Sequence, residues 1–168
     1  FYIGEGADVV IVAGCGIHNC GDQKSEHDGI HRFFVGKNAK VKYVEKHYGD
    51  GDGKGQRILN PVTEVTMEEG SYMEMEMVQI KGVDSTKRTT VADLDKNAKL
   101  IVRERLLTHG SQDAESSFVV NLNGEDSSAD VVSRSVAKEN SHQKFVSQIN
   151  GNTRCAGHTE CDAIIMDD

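Results

Sequence analysis

One proline, no tryptophan and only 5% aromatic residues occur in the 168-residue chain. So few flat side chains offer little surface on which bases could stack. The net charge of −8 works against the clustered cations that phosphate binding needs. Nucleic acid is therefore not an expected partner. No apolar run approaches the roughly 20 residues of a membrane helix, and no basic segment leads into an apolar one near Phe1, so neither a span nor a signal peptide is read. There is no Asn-x-Ser/Thr sequon. The four cysteines fall in two close pairs, Cys15/Cys20 and Cys155/Cys161. Reduced thiols in a cytoplasmic protein are the expectation. Helical periodicity is also missing.

Alternation with period two is present instead. Met73-Glu74-Met75-Glu76-Met77 is the clearest case, with Val41 to Val44 and Leu100 to Arg103 beside it; this is the pattern of strands with one buried face. Six similar segments open on a small residue, at positions 7, 39, 71, 98, 129 and 159, spaced by 32, 32, 27, 31 and 30 residues. Lys37-Asn38-Ala39-Lys40 and Lys96-Asn97-Ala98-Lys99 are the same tetrapeptide. A repeat near thirty residues without helices predicts an all-β solenoid, whose coils bury their apolar faces only by stacking. A β-sandwich is the alternative, since parity alone does not separate the two.

Within the solenoid, parity sends Val9, Ile11, Val41, Tyr43, Met73, Met75, Leu100, Val102, Val131, Cys161 and Ala163 to the lumen. It sends Lys40, Lys42, Glu74, Glu76, Lys99 and Arg103 to water. Two segments break the period. Residues 14–34, rich in Gly, His and Asp, read as a loop or irregular coil, and 49–55, Gly-Asp-Gly-Asp-Gly-Lys-Gly, as a flexible loop or hairpin tip. The latter is not an EF-hand loop, because Pro61 stands where a bidentate Glu is needed.

Two constellations hold possible ligands. Cys15, His18 and Cys20, with His31 further on, place thiolates and imidazoles in a glycine-rich stretch that could close on zinc or iron. Cys155, His158 and Cys161 lie three residues apart. On a strand, however, the two cysteines face one way and His158 the other. Neither spacing matches a standard zinc module, and the bland reading of Cys161 is a buried inert thiol. No nucleophile elbow, His-Glu-x-x-His or dinucleotide fingerprint occurs. From these residues alone, a metal-binding or a carbohydrate-binding β-helix module remains open.

The run Ser133-Arg134-Ser135-Val136-Ala137, Gly151-Asn152, Cys155 and Cys161-Asp162-Ala163-Ile164-Ile165-Met166 resembles the core of the SufB/SufD family. Gly29-Ile30-His31-Arg32-Phe33-Phe34-Val35-Gly36 is similar to its shorter members. The resemblance implies a right-handed parallel β-helix over residues 1–168, a single core domain without the family's C-terminal helical region. It implies a non-catalytic scaffold for iron–sulfur cluster assembly. The scaffold would pair with a second SufB/SufD chain, as homo- or heterodimer, and work with a SufC-like ABC-type ATPase. The Cys of the Cys-Asp segment maps onto Cys161 as the residue linked to a transient Fe–S cluster. The His-Glu pair that follows this segment in SufB has no counterpart up to residue 168. The Cys15/His18/Cys20 group maps onto no SufB pattern.

Overall fold

The computed structural model describes residues 1–166, and among these the regular structure is entirely β. The strands are β1 (Tyr2–Ile3), β2 (Asp8–His18), β3 (Ser25–His27), β4 (Ile30–Val35), β5 (Lys40–Asp50), β6 (Arg57–Leu59) and β7 (Val62–Met67). They continue as β8 (Tyr72–Lys81), β9 (Ser85–Leu94), β10 (Lys99–Thr108), β11 (Asp113–Leu122), β12 (Ser128–Lys138), β13 (His142–Gly151) and β14 (Ala156–Met166). One sheet runs β2-β5-β8-β10-β12-β14 and the other β1-β4-β7-β9-β11-β13, with β3 and β6 extending the second. The chain visits the two sheets alternately, so each turn adds one layer to both. Every pairing among the described residues is parallel. That excludes the antiparallel sandwich and establishes the β-solenoid.

The lumen is the core. Val41, Tyr43, Met73, Met75, Leu100, Val102 and Val131 are buried in it, while Val9 and Ile11 pack against it half-buried. From the opposite sheet Phe33, Val65, Ala92 and Val120 meet them. Stacking neighbours of like kind about 4.8 Å apart is what makes a coil stable only in company.

The coil corner explains the repeated tetrapeptide. Gly6, Asn38, Gly70, Asn97 and Asp126 all take positive φ, between 56° and 71°. Each lies two residues before a strand of the first sheet. Gly, Asn and Asp are the residue types that enter this region most cheaply. The corner therefore has a local sequence code, of which Lys-Asn-Ala-Lys is one version.

The register corrects the repeat. Asp8, Lys40, Tyr72, Lys99, Ser128 and Ala156 stack on one another, spaced by 32, 32, 27, 29 and 28 residues. The anchors at 129 and 159 were thus placed two and four residues too late. Both slips are even. Because strand side chains alternate with period two, an even slip leaves the face unchanged; the assigned residues keep the lumen face, but Cys161 and Ala163, on the last described strand, are exposed rather than enclosed.

The two irregular segments are also more regular than composition suggests. Residues 14–18 are the end of β2, paired with β5, and Gly14 and Gly16 leave room for the Tyr48 ring, which would meet a Cβ at position 16 at 2.6 Å. Within 14–34 lie β3 and most of β4 as well. Residues 49–55 are no hairpin tip but a corner stacked on the coil beneath. Gly53 N donates to Asn19 O at 3.0 Å and Gly55 N to Gly21 O at 2.9 Å. Backbones this close leave no space for a side chain. The lone Pro61 sits in the gap between β6 and β7, where no ladder N–H is required.

Candidate functional site

Side chains of the first sheet enter the lumen in columns, and the columns differ in kind. Val41, Met73, Leu100 and Ala129 form an apolar column, as do Tyr43, Met75, Val102 and Val131, apart from the Tyr43 hydroxyl. The next two columns turn polar. One holds Ala13, Glu45, Met77, Glu104, Ser133 and Cys161; the other holds Cys15, His47, Gln79, Leu106, Ser135 and Ala163. Opposite them the second sheet contributes His31, Thr63 and Thr90, and beside these Arg88 and Ser116.

These groups form a buried network. Arg88 Nη1 donates to Glu104 Oε2 at 3.1 Å, and Arg88 Nη2 to His47 Nδ1 at 2.7 Å. Ser116 and Ser133 donate to Glu104 at 2.6 and 2.7 Å. Tyr43 Oη donates to Glu45 Oε1 at 3.1 Å and lies 2.9 Å from His31 Nδ1. The same Oε1 stands 3.1 Å from His31 Nδ1 and 3.1 Å from His47 Nε2. Burial pushes the Glu45 carboxyl upward, but hydrogen bonds from His31 and His47 and the charge of Arg88 outweigh it and hold the group well below the usual carboxylate range. Burial, with Arg88 beside it, lowers His47. Tyr43 is raised by burial and by Glu45.

The cysteines fall in separate places, all with free thiols. Cys161 closes the Glu104–Ser133 column on β14, beyond which no further strand lies among the described residues, so its thiol is exposed rather than enclosed. Burial, Glu104 and Asp162 together raise its pKa above the ordinary thiol value. His158 points outward and pairs with Asp130 at 2.8 Å. Cys155 lies in the turn before β14, half-buried against the core. Six residues of extended chain, roughly 20 Å, separate it from Cys161, too far to share one ion.

The N-terminal group divides as well. Cys15 faces the lumen as the register neighbour of His47. His18 faces out, its Nδ1 2.8 Å from Asp50 and its Nε2 2.8 Å from Cys20. His31 belongs to the Tyr43–Glu45 contact. Cys15, His18, Cys20 and His31 therefore do not converge on one point. In their place Cys15, Glu45 and His47 bring one sulfur, one oxygen and one nitrogen within 4.8 Å of one another. Glu45 and His47 were not singled out from the sequence, although a signal existed: both have the odd parity of Val41 and Tyr43, which places a carboxylate and an imidazole on the inward face.

A parallel β-solenoid with a half-polar lumen and a thiol at its last described coil defines the structural class, with no helix among the described residues able to cross a membrane. Residues 2–168 match the model of the SufBD core domain of SUF-system Fe–S cluster assembly, and the chain belongs to that family. It is 26% identical over 165 residues to an iron-sulfur cluster assembly SufBD family protein of Archaeoglobus fulgidus, a match covering 96% of this chain and 42% of that protein. It is 30% identical over 135 residues to an iron-sulfur cluster assembly SufBD family protein of Methanocaldococcus jannaschii, covering 78% of this chain and 42% of that protein. The chain thus spans less than half the length of these curated relatives. No solved structure matches it.

Proposed function

We propose that this chain is the β-helix core of a cytoplasmic scaffold on which nascent Fe–S clusters are built, a non-catalytic component acting with a SufC-like ABC-type ATPase and a second SufBD chain. Membership of the family supports a role in Fe–S cluster assembly. The observation that carries the finer reading is the position of Cys161, an exposed thiol on the last described strand, above the Ser133–Glu104 column.

An accessible thiol can ligate iron as thiolate, and iron would overcome the raised pKa by replacing the proton. A cluster is ordinarily held by four protein ligands. Cys161 supplies one; Cys155 is out of reach, and His158 faces the other side of the strand. The remaining ligands must come from a second chain or from sulfide and small thiols during assembly. This need for outside ligands favours a paired scaffold over a self-sufficient cluster protein.

The test is anaerobic reconstitution of the full-length protein with ferrous iron and sulfide, followed by visible absorption and iron and sulfide counting. Co-purification with the ATPase is scored separately. A cluster lost in Cys161→Ser supports the reading. A cluster retained in that variant removes the role given to Cys161, and neither cluster nor ATPase binding removes the scaffold reading.

A further inference from the structure

The geometry points to a second, internal site: Cys15, Glu45 and His47 form a binding site for one divalent transition-metal ion, zinc or ferrous iron, inside the first two coils. It is independent of Cys161. Five coil steps separate the two, roughly 24 Å at the parallel-strand spacing.

Three observations converge. First, the donor set is one thiol, one imidazole and one carboxylate whose ligand atoms lie within 4.8 Å of one another. These are the ligand types zinc takes, and a tetrahedral ion with bonds of about 2.0–2.3 Å wants donors somewhat closer than that. Binding therefore requires the three side chains to draw in toward the ion.

Second, buried polar atoms here lack partners. Glu45 Oε2 and Gln79 Oε1 are buried without a hydrogen bond, and His47 Nε2 has only the 3.1 Å contact with Glu45 Oε1. Glu45 and His47 are fully enclosed, with side-chain exposures of 0%. Unpaired buried polar atoms are costly and rare, and an open carboxylate oxygen grouped with a thiol and an imidazole marks a place where a ligand belongs. His31 and Tyr43 do not fill it, since both contact Oε1 of Glu45 and leave Oε2 free.

Third, charge is unbalanced. Among the described residues the lumen buries the carboxylates Glu45 and Glu104 against the single guanidinium of Arg88. Buried charge is normally neutralised. A divalent ion with Cys15 as thiolate brings the set to zero.

Coordination through His47 Nε2 needs the ring proton on Nδ1, so the proton that Nε2 now directs at Glu45 must move to Nδ1, which at present accepts from Arg88. Arg88 Nη2, now on Nδ1, would turn toward one lone pair of Glu45 Oε2, 4.0 Å away, leaving the other for the ion, and keep Nη1 on Glu104. Three protein ligands leave a fourth position for water, Gln79 or an incoming group. That is the pattern of exchangeable sites, as opposed to closed structural ones.

The experiment uses the full-length protein, stripped by a chelator and titrated with Co2+ under anaerobic conditions. We expect one Co2+ per chain, with the near-ultraviolet thiolate-to-cobalt charge-transfer band, displaced by Zn2+. Cys15→Ser should abolish the band, and His47→Gln should weaken binding by about tenfold or more. Cys20→Ser and Cys161→Ser should leave both unchanged. Circular dichroism confirms that each variant is folded. Should His47→Gln fail to fold, Cys15→Ala, at a half-exposed position, decides alone. No thiolate band in the unsubstituted protein, or a band that follows Cys20 or Cys161 instead of Cys15, overturns the site. None of these readouts depends on cluster assembly, so failure of the scaffold reading would leave them untouched.

Discussion

Ser133 Oγ donates to Glu104 Oε1 at 2.7 Å from directly across the ladder between β10 and β12. Glu104 takes Ser116 and Arg88 on its other oxygen, so one carboxylate ties both sheets together through the lumen. Arg88 and Glu104 are almost fully enclosed, with side-chain exposures of 4% and 2%. Removing one partner leaves a buried charge alone. Glu104→Ala should therefore destabilise the chain by about 3–5 kcal/mol, whereas replacing the pair, as Glu104→Leu with Arg88→Met, should lose much less. Denaturant unfolding of the two variants beside the unsubstituted chain checks this. A double variant as unstable as the single one would show that the pair holds the fold by more than mutual compensation.

Cys161 gives the opposite expectation for stability. Sequence parity placed it in an enclosed lumen, where an unpaired serine hydroxyl would cost on the order of 1–3 kcal/mol. The thiol is exposed, so Cys161→Ser should change the unfolding midpoint hardly at all, while cluster yield on reconstitution falls sharply. Both are read from the same two preparations by chemical denaturation and by iron and sulfide counts. A large stability loss would mean that another layer covers Cys161 in the full-length protein.

Much of this fold is written in period-two alternation and in small corner residues, because both act locally. Met73, Met75 and Met77 declare a buried face without help from the rest of the chain. The register of the last coils was less legible. Ser127 and Cys155 stand at the corner where Ala7, Ala39 and Ala98 stand earlier, and only the hydrogen bonds between coils fix that equivalence. The polar half of the lumen was least legible. Glu45, His47, Arg88 and Glu104 come from three separate coils, and nothing local tells a charged residue of lumen parity from an error of register. The grouping of Cys15 with His18 and Cys20 failed for the converse reason. Closeness along an extended strand separates side chains onto opposite faces, while closeness across the ladder, as between Cys15 and His47, joins them.

The corner code is testable at Asn97, whose φ is 56°. A β-branched residue there meets the full steric penalty of the left-handed region. Asn97→Val should destabilise by about 1–2 kcal/mol, and Asn97→Gly should be near neutral. Thermal unfolding of the two variants decides. Equal behaviour would mean that the corner relaxes to another conformation.

Asp130 binds three coils on the outer face. Arg103 Nη2 donates to its Oδ2 at 2.7 Å from the coil before, and His158 Nδ1 lies 2.8 Å from its Oδ1 in the coil after. Partial burial acts to raise the Asp130 carboxyl, but His158 and then Arg103 outweigh it, so its pKa is lowered from 3.8. A carboxylate depressed in the folded state adds stability above its unfolded value, and that stability is lost as pH falls through the folded value. The group is partly exposed, so solvent screens the pair and the gain is modest. The expected result is an NMR titration of the Asp130 carboxyl with a midpoint below 3.8, moved upward by His158→Ala and further by Arg103→Gln beside it. As pH falls from about 5 through 3.8 and on through the lowered folded value, the unsubstituted chain should lose slightly more thermal stability than Asp130→Asn. A midpoint at or above the ordinary value would show that the three-coil clamp does not hold in solution.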